Sequence, residues 1–106
     1  GFQLTSAQAA FNSDTGIAVV RVNGGNLGID FQDRSCQTTL SLGHDSLGQF
    51  DFSAAGKLYD GGFFRAIEDT QRLAGAVSYD GAEAGYFFEK QVGDGLLSGL
   101  TLWDAK

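Results

Sequence analysis

The apolar residues of this chain recur at every second position, and short clusters of Gly, Asn and Asp interrupt them at nearly regular intervals. Residues 50–58 show the repeat clearly, because Phe50, Phe52, Ala54 and Leu58 alternate with Asp51 and other polar or small residues. A period of two is the spacing of side chains on one face of a β-strand, whereas a helix requires a period of 3.6. No long segment carries a helical pattern with capping residues, so we expect an all-β fold.

Turn signals divide the chain into eight or nine strands, about 8–12 residues apart. The predicted turns lie at residues 23–26, 34–35, 43–46, 60–62, 68–71, 80–81 and 93–95. Short turns favour an antiparallel meander, and a meander with one apolar face closes economically into an up-and-down barrel without edges. We therefore predict one small antiparallel β-barrel of about eight strands over residues 1–106, with N-terminal strands in 1–23 and the barrel meander in 24–103.

The alternation also predicts which side chains fill the barrel. Hydrophobic residues make up 42% of the chain and charged residues 19%, which is typical of a folded domain rather than a disordered one. Nine Phe residues among 106 indicate an interior filled by side chains. Residues expected to share a face are Leu27, Ile29 and Phe31; Cys36, Thr38, Leu40 and Leu42; and Leu96, Leu100 and Leu102, while Phe50, Phe52, Phe64 and Phe88 are expected inside.

The charge balance and the rare residue types exclude several kinds of function. A net charge of −6 argues against a protein that binds a nucleic-acid backbone, which needs a basic surface. One Cys cannot form an internal disulfide, and one His cannot build a His-based metal site. No apolar run approaches the length of a membrane helix, and no signal peptide is recognisable. Because the chain begins at Gly1 and lacks Met, we expect a processed product or a domain of a larger protein.

Asp80 and Glu83 are the strongest candidates for acid–base chemistry. Two carboxylates near each other, with Tyr86 following, are typical of glycoside hydrolysis. Asp80-Gly81 is also a strong turn signal between two apolar runs, and this interpretation makes residues 73–91 a β-hairpin. We favour the hairpin.

Other polar residues have equally plain structural interpretations. His44 beside Asp45 suggests a Ser-His-Asp arrangement, but no nucleophile motif accompanies it, and a solvated turn histidine is favoured. Haem ligation by His44 is a further alternative, with Tyr59, Tyr79 and Tyr86 as other ligands. Cys36 is interpreted as a small buried apolar residue. The Asp-Gly pairs in the turns at 60–62 and 93–95 are interpreted as hairpin turns rather than calcium loops. We predict no catalytic residue, no metal, no cofactor and no enzymatic activity.

Four aromatic residues fall on the opposite parity from the expected core. They are Tyr59, Phe63, Phe87 and Trp103. Exposed aromatics are effective anchors in protein interfaces, so we predict that these residues bind a protein partner. The alternative is that bulges reverse the parity and bury them.

Three segments carry a resemblance to a known family. The segment GIDFQDRSCQTTLSL (28–42), the hairpin FDFSAAGKLYDGGFF (50–64) and the segment LAGAVSYDGAEAGYFFEKQ (73–91) resemble, in order and spacing, transferrin-binding-protein-B-like barrel domains. The match runs along roughly residues 24–103. This resemblance implies a bacterial extracytoplasmic setting, at the cell surface or in the periplasm, and a binding or scaffold role. Related barrels occur in surface lipoproteins that capture host iron or haem proteins.

These observations lead to two hypotheses of function. The first is a non-enzymatic binding or accessory barrel of a bacterial surface or periplasmic protein, which engages a protein partner through its loops and wall aromatics. The alternative is a lipocalin-like carrier that holds a small apolar ligand or haem inside the barrel. Neither hypothesis involves nucleic acid or a membrane span in this chain.

Overall fold

The computed structural model describes residues 1–106 and contains eight β-strands and no helix. The strands are β1 (Phe2–Ser13), β2 (Gly16–Asp30), β3 (Ser35–His44), β4 (Gly48–Tyr59), β5 (Phe63–Ile67), β6 (Gln71–Val77), β7 (Glu83–Val92) and β8 (Gly95–Ala105). Hence the structure has no helix that is long and apolar enough to cross a membrane.

Each strand pairs antiparallel with the next, and β1 pairs with β8 to close the barrel. The predicted fold class, an eight-stranded antiparallel up-and-down barrel, is therefore confirmed. Because β1 lies between β2 and β8, residues 1–23 form part of the wall itself. The barrel is flattened, with principal extents of 43 × 26 × 17 Å.

The predicted turn at residues 23–26 is wrong, because β2 continues through it. The partner of Val22 on β3 is Leu42, and that of Gly24 is Ser41, so Asn23 is an extra residue in β2. A Gly-Asn cluster therefore marks a β-bulge here instead of a chain reversal. Phe31, expected to share a face with Leu27 and Ile29, lies beyond the end of β2 and is exposed.

Aromatic side chains fill the interior of the barrel, as the number of Phe residues predicts. Phe52 and Phe88 lie with ring centroids 4.7 Å apart, and Tyr86 stacks on Trp103 at 5.9 Å. Phe64 is also fully buried, and Phe50 packs against the core from a partly exposed position. Burying each such side chain contributes about 1.5–3 kcal/mol to stability, so this cluster is the main source of the fold's stability.

β8 has apolar residues on both faces, and the structure selects the face opposite to the expected one. Leu96, Leu100 and Leu102 do share a face, but it is the outer face, and all three are exposed. Leu97, Thr101 and Trp103 point inward and are fully buried. The inward choice lets the large indole of Trp103 stack on Tyr86.

The few polar groups inside the barrel have hydrogen-bond partners. Thr38 donates to the carbonyl of Asn26 at 2.7 Å and lies 2.8 Å from the Tyr86 hydroxyl. The Trp103 indole N–H donates to Thr101 Oγ1 at 2.7 Å. No buried side-chain nitrogen or oxygen is left without a partner. The interior therefore offers no unsatisfied polar group for a ligand.

Candidate binding groove in the barrel wall

The wall of the barrel is interrupted between β1 and β2. These strands pair from Ala9↔Val20 to Ser13↔Gly16 and again at Phe2↔Leu27, but residues 3–8 and 21–26 are not paired with each other. The register is the same on both sides of the interruption, so the strands separate and rejoin without slipping.

A β-bulge lies in each strand at this interruption. In β1 the register against β8 shifts between Leu4 and Ser6, and in β2 the register against β3 shifts between Val22 and Gly24. A bulge bends its strand and increases the local twist. Two bulges on facing strands therefore explain why the strands part here.

A groove of about 770 Å³ lies along the separated strands and extends over the outer faces of β7 and β8. Its lining is mostly apolar and consists of Ala7, Gln8, Ala9, Ala10, Val19, Val20, Arg21, Val22, Asn23, Phe87, Ser98, Gly99 and Leu100. Both inward-facing and outward-facing residues contribute, because the wall is open between the strands. The volume lies within the range of about 300–1,000 Å³ that is typical of small-molecule sites.

A second interruption, between β4 and β5, is spanned by a side chain. Only Lys57, Leu58 and Tyr59 of β4 pair with β5. The Gln71 side-chain amide donates to the carbonyl of Ser53 at 2.6 Å, and Lys90 donates to the Gln71 side-chain oxygen at 3.0 Å. These bonds tie β4 to β6 and β7, whereas the β1–β2 groove has no such bridge.

The structure exposes three of the four aromatic residues predicted to bind a partner. Tyr59 is 42% exposed, Phe63 62% and Phe87 44%, and the Arg65 guanidinium lies 5.1 Å from the Tyr59 ring centroid. Trp103 is only 1% exposed, so the prediction that it lies on the outer wall is wrong. The inward choice of β8 face places Trp103 in the core. Phe87 alone among the four lines the groove. A partner-binding role for the three exposed aromatics stays a prediction.

Asp80, Glu83 and Tyr86 do not form a common site. The Asp80 carboxylate accepts hydrogen bonds from the Ser78 hydroxyl and the Ala82 N–H, which lower the pKa of this exposed carboxyl. Glu83 begins β7, and its N–H donates to the Ser78 hydroxyl. Tyr86 lies in the core, where burial raises its pKa to about 12. The hairpin interpretation of residues 73–91 is thus confirmed.

His44 and Cys36 also have structural roles. His44 ends β3, and its Nδ1 accepts a hydrogen bond from the N–H of Ser46 in the following turn. Cys36 is buried on the inner face with Thr38, Leu40 and Leu42, as predicted, and burial raises the pKa of its thiol. No three His, Cys, Asp or Glu side chains come together in a way that could hold a metal ion.

Sequence reasoning missed the groove, although part of its signal is visible. The Asn23-Gly24-Gly25 run marks the bulge in β2, but it was interpreted as a turn. The bulge in β1 has no signal, since Leu4, Thr5 and Ser6 carry neither Gly nor Pro.

No protein-family model and no curated protein sequence matches this chain. Among solved structures, the barrel is similar to the siderocalin Ex-FABP, with a TM-score of 0.53, 13% identity, and coverage of 100% of this chain and 72% of that one. It is also similar to the bovine odorant binding protein in complex with undecanal, with a TM-score of 0.51, 9% identity, and coverage of 99% and 68%. At such low identity the likeness is one of fold. The resemblance to transferrin-binding-protein-B-like barrels stays a prediction.

Proposed function

We propose that this protein is a non-enzymatic binding protein that holds a small apolar ligand in the groove between β1 and β2. The groove itself carries this proposal, because it combines a mostly apolar lining with a volume suited to a small molecule. The fold likeness supports the same class of function. The siderocalin is described as functioning through dual ligand specificities, and the bovine protein was solved with undecanal, an aliphatic aldehyde.

The wall is favoured over the barrel centre as the binding site. The centre is filled by Phe52, Phe64, Tyr86, Phe88 and Trp103, each no more than 1% exposed. A ligand at the centre would have to displace packed aromatic rings, at a cost of several kcal/mol. The groove requires no such displacement.

The lining indicates the chemistry of the ligand. Ala7, Ala10 and Val19 provide apolar surface, while Gln8 and Asn23 provide neutral hydrogen-bonding groups. Arg21 is the one charged residue of the lining, and its guanidinium is paired with Asp45 at 3.0 Å. The groove therefore suits an uncharged, largely aliphatic molecule with one polar end. We place this activity in an extracytoplasmic setting, which is also what the family resemblance implies.

A binding titration with a matched pair of variants tests the proposal. The fluorescent probe N-phenyl-1-naphthylamine is titrated into the protein, and undecanal is used to compete with it. Val19→Asp introduces a charge into the groove lining, and we expect it to weaken probe binding at least about tenfold, because the ligand desolvates the carboxylate.

Ile17→Asp is the control for this experiment. Ile17 lies on the same strand and the same outer face, at 74% exposure against 80% for Val19, but it does not line the groove. We expect the Ile17→Asp protein to bind the probe like the wild type. Equal binding by the wild type and Val19→Asp would contradict a site in the groove, and absence of saturable binding to the wild type would contradict the ligand-carrier function.

A further inference from the structure

We propose that two copies of this chain associate through the outer faces of β6, β7 and β8, related by a two-fold axis that runs parallel to β7. This proposal concerns a different surface from the groove opening and does not depend on ligand binding. It follows from the way in which large and small side chains are distributed around β7.

Three adjacent rows of cross-strand partners cover this face. The first row is Phe63–Ala76–Gly85–Leu102–Ser6, the second is Arg65–Ala74–Phe87–Leu100–Gln8, and the third is Ile67–Arg72–Glu89–Ser98–Ala10, each running from β5 to β1. Three rows of five residues, with Tyr59 and Leu96 at their margins, approach the roughly 20 residues per partner of a standard interface.

The face is apolar and nearly free of acidic groups. Phe63, Phe87, Leu100 and Leu102 are all exposed on it. Of the 13 Asp and Glu residues in the chain, only Glu89 lies in the three rows, and it is paired with Arg72. Two copies that each carry a net charge of −6 repel each other least where acidic side chains are fewest.

The rows are self-complementary about β7, which identifies a second copy as the occupant. A two-fold axis along β7 places β8 of one copy opposite β6 of the other. In the first row the bulky Leu102 then faces Ala76, and in the second row Leu100 faces Ala74. Each large side chain is thus matched with a small one, as close packing between two sheets requires.

The outer strands continue the same pattern. With this axis β5 of one copy lies opposite β1 of the other, so that Phe63 faces Ser6 and Ile67 faces Ala10. Arg65 faces Gln8, and the two Arg65 side chains lie at opposite edges of the interface. The axis therefore avoids repulsion between equal charges. Such an interface is isologous and closes at the dimer.

Sedimentation equilibrium on the wild type and on a swapped pair tests this geometry. We expect the wild type to form a dimer of twice 11.2 kDa. Ala76→Leu puts a large side chain opposite Leu102, and we expect it to weaken dimerisation at least about tenfold. The double variant Ala76→Leu/Leu102→Ala restores one large and one small partner, and we expect dimerisation within about threefold of the wild type. Neither residue lines the groove.

Two controls make the result decisive. Phe31→Ala removes an exposed aromatic outside the face and leaves dimerisation unchanged, while circular dichroism confirms that every variant is folded. A wild type that stays monomeric to about 1 mM overturns the proposal. A double variant that dimerises no better than Ala76→Leu also overturns it, because the loss would then not depend on the match across the axis.

Discussion

At the scale of single residues, Tyr86 shows how the core combines packing with hydrogen bonding. Its ring stacks on Trp103 and meets Phe64 and Phe88 edge-on, while its hydroxyl bonds to Thr38. Because Thr38 gives its own proton to the Asn26 carbonyl, the Tyr86 hydroxyl is the donor to Thr38. A deprotonated Tyr86 would lose this bond and place a charge in the core.

Tyr86 is therefore expected to make the fold sensitive to alkaline pH. Burial raises its pKa from 10.0 to about 12, so the folded state keeps a proton that the unfolded state loses between these values. The stabilisation is complete below about pH 10 and falls as the pH rises towards 12, by roughly 2–3 kcal/mol in the free energy of unfolding. Urea unfolding at pH 9 and pH 12 measures this loss.

Tyr86→Phe is the reference for that measurement. It keeps the ring in the core and leaves the Thr38 bond to Asn26 intact, so we expect the variant to fold. Tyr59 and Tyr79 are present in both proteins and cancel in the comparison. An equal alkaline loss of stability in both proteins would show that Tyr86 is not its source.

At the scale of elements, the paired bulges in β1 and β2 determine whether the wall is open. Each bulge is one extra residue relative to the outer neighbour strand, Thr5 relative to β8 and Asn23 relative to β3. Since the unpaired segments, 3–8 and 21–26, are equal in length, removing one residue from each preserves the register between β1 and β2.

Deletion of Thr5 together with Asn23 is therefore expected to close the wall. Without the bulges, residues 3–8 and 21–26 can form a regular ladder, and their amide protons should exchange at least about tenfold more slowly, because each new hydrogen bond has to open first. Hydrogen exchange of Ala7 and Gln8 measures this, and probe binding in the groove should be lost. Unchanged exchange at both residues would refute a role for the bulges.

At the scale of the whole molecule, the barrel depends on closure by β1. This strand pairs with β2 on one side and, almost along its whole length, with β8 on the other, and it brings Phe2 and Ala9 into the core. Without β1, the edges of β2 and β8 would both be unpaired, and Leu97 and Trp103 would be uncovered.

Removal of residues 1–15 is accordingly expected to unfold the remaining chain. The lost ladder and core contacts exceed the 5–15 kcal/mol by which a domain of this size is stable. The fluorescence of Trp103, the only Trp, reports the result, and we expect its emission to shift to the red as in the urea-unfolded protein. A shortened chain lacking only Gly1 is the control, and cooperative unfolding of residues 16–106 would contradict the prediction.

The sequence by itself determined the fold class and most of the inner face. The alternation in β3 and β4 identifies Leu40, Leu42 and Phe52 as inward-facing, because each of these strands has one apolar and one polar face. Asp80-Gly81 likewise identifies its hairpin, since few backbone conformations suit such a pair.

Only the tertiary structure decided the outer face and the groove. β8 is apolar on both faces, so its alternation is compatible with either orientation, and the packing of Trp103 against Tyr86 made the choice. The same choice left Leu100 and Leu102 outside, where they contribute to the proposed dimer face. The groove arises from two bulges whose effect depends on which strands are neighbours. Strand pairing joins residues far apart in the chain, and a local sequence pattern carries no information about that distance.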